Sequence, residues 1–212
     1  HLPAATASDP DQDEFPRERD VSGEEPRVGV FICDCGLNIG GVIDVDLLAE
    51  QARDIPGVAL AKVVGHGCSR ESMADMENII RTTNINRVVL AGCSPRTHEA
   101  RFQDVLRRAG LNKYLLEVAN IRDQATWVHF NSPKKAAEKS LNLVAMAVTS
   151  VMQARPLTNQ TLPMNKDILV VGGGVAGMTA ALNLADQGFK TFLVERSAHL
   201  GGLAADIRKT LE

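Results

Sequence analysis

Four cysteines and one set of spaced glycines are the residues of this chain whose types and spacing could do chemistry. The glycines are Gly172-x-Gly174-x-x-Gly177, with Val175 and Ala176 between the last two. They follow the short apolar run 168–171 and open a helical stretch, and a second apolar run then ends at Glu195. Gly172 permits a tight strand-to-helix turn, Gly174 lets backbone approach a pyrophosphate, and Gly177 lets helix and strand pack closely. Phosphates would rest on the unpaired amides of the helix N-terminus, and Glu195 stands where a carboxylate binds a ribose hydroxyl. The pattern predicts dinucleotide binding. Glu195-Arg196, a short spacer and Gly201-Gly202 select FAD first and NAD second, and the acid disfavours a 2′-phosphate. The plainer reading of Gly201-Gly202 is an ordinary loop turn.

The cysteines are Cys33, Cys35, Cys68 and Cys93, and their linear spacing matches no standard ferredoxin or zinc-finger pattern. The elements around them say more. Apolar runs at 28–33, 58–64, 87–92 and 113–120 alternate with helical patterns at 43–55, 69–83, 95–110 and 133–153. Strands alternating with helices predict a parallel sheet with right-handed crossovers. Cys33 and Cys35 follow the first strand, Cys68 the second and Cys93 the third, so all four gather at the carboxyl edge, where such sheets hold ligands. Gly36, Gly65, Gly67 and Gly92 lie beside them and allow backbone amides close to an inorganic group. Four thiolates suit a 4Fe–4S cluster or one tetrahedral zinc ion. A redox dithiol and inert buried thiols are the other readings, with His66 as an alternative metal ligand. Arg96, His98 and Arg122 fall near the same edge, where they would tune a cluster or contact a partner, or else be surface polar residues or satisfied core hydrogen bonds. Trp127 and His129 are expected to pack against the last helix.

The fold class expected is α/β, organised in four parts. Residues 1–26 hold eight acids against two bases and few apolar residues, which predicts a flexible acidic arm. A cysteine-bearing Rossmann-like domain spans 27–154, a proline-bearing linker 155–166, and the start of an FAD-binding domain 167–212. That last piece is expected to be incomplete and not to bind FAD tightly alone. The net charge of −3 and the lack of a basic stripe exclude a nucleic-acid footprint. No apolar run or signal segment points to a membrane span or export, so the cytoplasm is expected and disulfides are not. No group suggests acid–base or nucleophilic catalysis; cofactors would carry the chemistry.

The segments VFICDCGLNIGGVIDV, NRVVLAGCSPRTHEARFQDVLRRAGLNKYLLEVANIRDQATWVHF and ILVVGGGVAGMTAALNLADQGFKTFLVERSAHLGG resemble the A subunits of heterodisulfide reductase, over about residues 27–212. Related flavoproteins of sulfate reducers and aromatic-degrading anaerobes share them. The resemblance implies an iron–sulfur flavoprotein with an FAD domain of thioredoxin-reductase type, whose flavin bifurcates electron pairs. It implies Cys33, Cys35, Cys68 and Cys93 as ligands of a 4Fe–4S cluster, and Gly172, Gly174, Gly177, Glu195 and Gly202 as holders of FAD. Implied partners are B and C subunits, ferredoxin, and hydrogenase, formate or NADH modules; a homo-oligomer is a further expectation. Relatives often carry a cysteine before Trp-Val-His, where this chain has Ala125 and Thr126. Two other readings stand beside this one: a non-enzymatic zinc-bearing scaffold docking to a partner, and an independent NAD-dependent enzyme.

Overall fold

The computed structural model describes residues 15–160 and 162–207. The chain divides into two compact units between Thr158 and Asn159, within the stretch expected as a linker.

The first unit is a four-stranded parallel sheet between two pairs of helices. Its strands are β1 (Val28–Ile32), β2 (Val58–Val63), β3 (Arg87–Gly92) and β4 (Leu116–Asn120), in the order β2-β1-β3-β4. Helices α1 (Val45–Arg53), α2 (Arg70–Thr82), α3 (Pro95–Arg108) and α4 (Pro133–Gln153) follow the four strands in turn. β1 and β3 are apolar at nearly every position because both of their faces are covered. Val30, Ile32, Val89 and Ala91 pack with Leu48 of α1 and Val144 and Val148 of α4. Phe31, Val88 and Leu90 pack with Met76 and Ile80 of α2 and Phe102 and Leu106 of α3 on the other face.

Local chemistry sets the element ends. The Asp44 carboxylate accepts the amides of Asp46 and Leu47, each at 3.0 Å, and starts α1. Ser69 accepts the Ser72 amide at 3.1 Å and starts α2. The strand expected from residue 113 begins at Leu116, because Asn112 diverts the chain into a turn: its side-chain oxygen accepts the Tyr114 amide at 3.1 Å and its carbonyl the Leu115 amide at 3.1 Å.

Residues 15–26 do not form a free arm. Val21 is fully buried, the Arg19 amide donates to Gly110 at 2.7 Å, Asn112 donates to Glu18 at 2.8 Å, and the Arg107 guanidinium lies 3.7 Å over the Phe15 ring. Composition predicted mobility, but one buried valine and several long-range hydrogen bonds anchor this strap. The rest of the expected arm, 1–14, lies outside the described residues.

The second unit contains β5 (Ile168–Val171), α5 (Val175–Asp186) and β6 (Thr191–Val194), with β5 and β6 parallel and Ile168 in register with Thr191. Leu169, Val171, Phe192 and Val194 share one sheet face and are exposed, Val171 to 77%. α5 has no buried residue. No helix among the described residues is long and apolar enough to cross a membrane.

Candidate functional site

The strand order places β1 and β3 side by side while their crossovers run to opposite faces. This is a topological switch point, and open α/β sheets bind ligands outside the carboxyl ends of the strands there. Cys33 directly follows β1 and Cys93 directly follows β3. Cys68 follows β2 and stands one residue before Ser69, the cap of α2, and Cys93 stands one residue before Ser94, which starts α3. Two helix N-termini, positive by their dipoles, therefore begin beside cysteines.

Cys33 is the buried member of the set. Its sulfur accepts the Gly67 amide at 3.2 Å and lies 3.4 Å from the Gly65 carbonyl. Gly92 and Gly67 make room for it: a Cβ on Gly92 would stand 3.3 Å from Cys33 Cβ, and one on Gly67 would stand 3.6 Å from its sulfur. Burial pushes the Cys33 thiol up to about 11, the Gly67 amide partly offsets this, and the neighbouring Cys35 and Cys68 raise it further. Reactive dithiols have the opposite character, a lowered pKa in a positive, accessible setting. Such a thiol gives up its proton when a metal displaces it.

Cys35 has φ 46, the sole non-glycine residue with positive φ among the described residues, and Gly36 follows with φ 53. Two left-handed residues in succession turn the chain sharply back. The loop is closed by Asn38, whose amide donates to the Cys35 carbonyl at 3.2 Å. Arg122 follows the end of β4, and its pKa is raised, chiefly by Asp123 and to a smaller degree by Cys35 and Cys93. The structure therefore relates Cys33 to Cys35 and Cys68, and Arg122 to Cys35 and Cys93.

His66 Nε2 would lie 3.7 Å from a Cβ on Gly36, so it borders the Cys35 loop. Among the described residues no group of three or more His, Cys, Asp or Glu side chains is arranged to hold a single metal ion. A tetrahedral zinc needs its sulfurs closed round one point, whereas a cubane holds its cysteines apart, one at each iron.

Arg96 is exposed on the first turn of α3 and His98 is half-buried behind it. Trp127 does not pack against α4 as expected. It is 52% exposed, its Nε1 donates to Asn38 at 3.1 Å, and the Arg122 guanidinium lies 4.8 Å over its ring. The cause is a wide turn over Arg122–Thr126, in which the Trp127 amide reaches back five residues to Arg122 at 2.9 Å. The extra residue rotates the indole outward. Ala125 and Thr126 are both buried, and Thr126 donates to the Asn38 carbonyl at 2.7 Å. No pattern in the sequence marked this turn.

The second candidate site lies wholly in the second unit. Gly172 has φ 106, which turns β5 toward α5, and a Cβ on Gly177 would stand 1.8 Å from the Gly172 carbonyl oxygen. Gly174 caps α5 with no side-chain acceptor, and a Cβ there would meet nothing within 4 Å. Open space thus faces the unpaired amides that begin α5. Val175 and Ala176 are exposed in that first turn, and Arg196 is exposed beyond Glu195.

Glu195 accepts the Gly173 amide at 2.6 Å and the Ser197 amide and hydroxyl at 2.9 Å each. These bonds, the Ser197 amide first and the Gly173 amide next, hold its carboxyl down at about 2. A carboxylate has roughly four acceptor positions, so about one remains for a further donor. Gly201 and Gly202 fold back on the fingerprint. The Gly201 amide donates to Gly173 at 2.7 Å, and a Cβ on Gly202 would approach Gly174 Cα to 3.1 Å. Gly173 was not singled out by the glycine spacing, yet a Cβ there would stand 2.5 Å from Leu200 and 3.1 Å from Glu195 Cβ. The signal for it was the unbroken triple glycine.

A parallel α/β unit with cysteines along its carboxyl edge, joined to a glycine-turn βαβ unit, defines a class: a cysteine-bearing α/β protein with a dinucleotide-type glycine turn. Comparison with known proteins makes this specific. The FAD-dependent oxidoreductase family matches residues 167–207. The chain is 44% identical over 193 residues to the A subunit of the H2:CoB–CoM heterodisulfide,ferredoxin reductase of Methanothermobacter marburgensis, covering 91% of this chain and 29% of that protein. It is 43% identical over 190 residues to the second iron-sulfur A subunit of the CoB–CoM heterodisulfide reductase of Methanopyrus kandleri, covering 90% and 29%. It is 44% identical over 179 residues to the A subunit of the ferredoxin:CoB–CoM heterodisulfide reductase of Methanosarcina mazei, covering 84% and 23%. Over most of its length the chain is similar to heterodisulfide reductase A subunits. It spans about a quarter of the length of these curated relatives.

Proposed function

We propose that this chain is an electron-relaying portion of a heterodisulfide-reductase-like iron–sulfur flavoprotein oxidoreductase. Cys33, Cys35, Cys68 and Cys93 would ligate a 4Fe–4S cluster. Gly172, Gly174, Val175, Ala176, Gly177, Glu195, Arg196, Gly201 and Gly202 would hold FAD. The observation that carries the reading is the buried Cys33 sulfur at the β1/β3 switch point, with the Gly67 amide directed at it.

When bound, FAD supplies two-electron exchange and the cluster one-electron exchange, the combination that splits electron pairs. The chain's own residues bind and position. The α5 amides meet the pyrophosphate, Glu195 takes a ribose hydroxyl on its remaining acceptor position, and the Gly67 amide stabilises negative charge on sulfur. Burial of Cys33 keeps water from the ligand.

The names of the relatives include the CoB–CoM heterodisulfide, ferredoxin and, in one, H2. By likeness, the partners here would be B and C subunits, ferredoxin and a hydrogenase, formate or NADH module, with a homo-oligomer also in range and the cytoplasm as the location. Bifurcation belongs to the same proposal.

Anaerobic reconstitution with iron and sulfide tests the reading. About four irons and four sulfides per chain, with broad visible absorption lost in Cys33→Ser, is the expected result. One zinc per chain without colour would overturn it in favour of the scaffold. Tight NAD binding by the chain alone, read by calorimetry, would favour an NAD-dependent enzyme.

A further inference from the structure

Arg122 is held between the Asp123 carboxylate and the Trp127 ring. Gly92, the residue before Cys93, is in register with Asn120 at the end of β4. Asn120 fixes the segment beyond it: its side-chain oxygen accepts the Asp123 amide at 3.0 Å, and its side-chain amide donates to the Asp123 carboxylate at 3.2 Å. That carboxylate accepts Arg122 Nε at 2.8 Å, and the Trp127 ring supports the guanidinium from one face at 4.8 Å. Trp127 and Thr126 in turn both donate to Asn38, which closes the Cys35 loop. The guanidinium is thus fixed between the loop that carries Cys35 and the strand end that carries Cys93.

We infer that Arg122 is the positioning cation of the cysteine site, a fixed charge held by Asp123 and Trp127 that sets how readily a cluster there accepts an electron. This rests on the cluster reading above. Reduction by one electron adds one negative charge to the cluster and its four thiolates. A nearby positive charge lowers the energy of the reduced form more than that of the oxidised form. The Arg122 side chain is only 21% exposed, so water screens this effect incompletely. Cys35 and Cys93 both favour the charged form of Arg122, after Asp123, so the charge acts on both sulfurs. A planar fork stacked on an indole holds that charge in place better than a mobile ammonium would.

Redox titration of the reconstituted protein, followed by absorption and electron paramagnetic resonance, tests the inference after iron content is measured. In iron-loaded Arg122→Gln, the ratio of reduced to oxidised cluster at the wild-type midpoint should fall about tenfold, a midpoint about 59 mV lower. Arg122→Lys should recover most of the shift, since it keeps the charge. Trp127→Leu changes no charge and should lower the ratio about two- to threefold by loosening the guanidinium. An unchanged midpoint in iron-loaded Arg122→Gln overturns the inference. Should Arg122→Gln fail to take up iron, Trp127→Leu decides: a lowered midpoint supports the inference and an unchanged one overturns it. A wild-type protein that takes up no iron removes the cluster reading itself, and this inference with it.

Discussion

The cysteine-bearing unit and the glycine-turn unit both present a site at the carboxyl end of parallel strands, yet they hold it by opposite means. At the cysteine edge the contacts that join one loop to another are distant in sequence: Cys33 with Gly67, Thr126 and Trp127 with Asn38, Gly92 with Asn120. A core buried on both sheet faces enforces them. In the glycine turn, Gly172, Gly173, Gly174, Gly177, Glu195 and Gly201 meet within one βαβ stretch, and α5 buries nothing. One site is held by tertiary packing and the other by backbone sterics. They should therefore fail differently.

The largest effect expected is at Gly177. Its added Cβ would lie 1.8 Å from a backbone oxygen that cannot move without undoing the turn. Gly177→Ala should abolish hydrogen-exchange protection across 168–194 and leave 28–120 unchanged. Cys33→Ala should do the reverse in kind: a cooperative loss of about 1–3 kcal/mol spread over all four strands of the first unit. Protection lost only next to residue 33 would mean that the cysteine edge is as local as the glycine turn, and the contrast would collapse.

Acidity separates the two units further. Glu195 is held at about 2 against an ordinary 4.5, so its contribution is present above about 4.5 and disappears as pH falls through 2. Cys33 is raised to about 11 from 9.0, so in metal-free protein its contribution is present below 9.0 and disappears as pH rises through 11. Both signs follow from which state binds the proton more tightly. Exchange measured at Gly173 and Ser197 should quicken beyond its intrinsic pH dependence in acid, and Glu195→Gln should remove that excess. Alkaline unfolding of the first unit should move to higher pH in Cys33→Ser. Both units loosening at the same end of the scale would refute the assignment.

This difference also governs how much could be read before any coordinates. The glycine fingerprint is legible because each part of its geometry is forced by neighbours in sequence: a positive φ at Gly172 and a close approach at Gly177 leave no other residue type. The strand order was legible only in outline, from alternation, but that sufficed to bring three strand ends to one edge. The wide turn at 122–126 was not legible, because no residue type signals an extra residue in a helical turn. Its reason is tertiary, since Thr126 and Trp127 both reach Asn38 across the fold. The strap at 15–26 was hidden for a related reason: an acidic composition averages over the one buried valine and the long-range partners of its neighbours. Val21→Ala should cost about 2 kcal/mol in denaturant unfolding of the first unit. A silent substitution would show that hydrogen bonds to Gly110 and Asn112 hold the strap instead.

The smallest effects compare two helix starts. Ser69 occupies an amide of α2 with its own side chain, so Ser69→Ala should cost about 1 kcal/mol. α5 begins at Gly174 with no such acceptor and with open space at the Cβ position. Its backbone is extended there, at φ −72, so a serine fits without strain. Gly174→Ser should therefore stabilise the second unit by a few tenths of a kcal/mol. It would do so by capping the amides that a pyrophosphate needs, and nucleotide binding should weaken as stability rises. Equal binding by the serine variant would mean that the phosphates do not approach α5 along its axis. Opposite signs at Ser69 and Gly174 would mark the first helix start as built for the fold and the second as left open for a ligand.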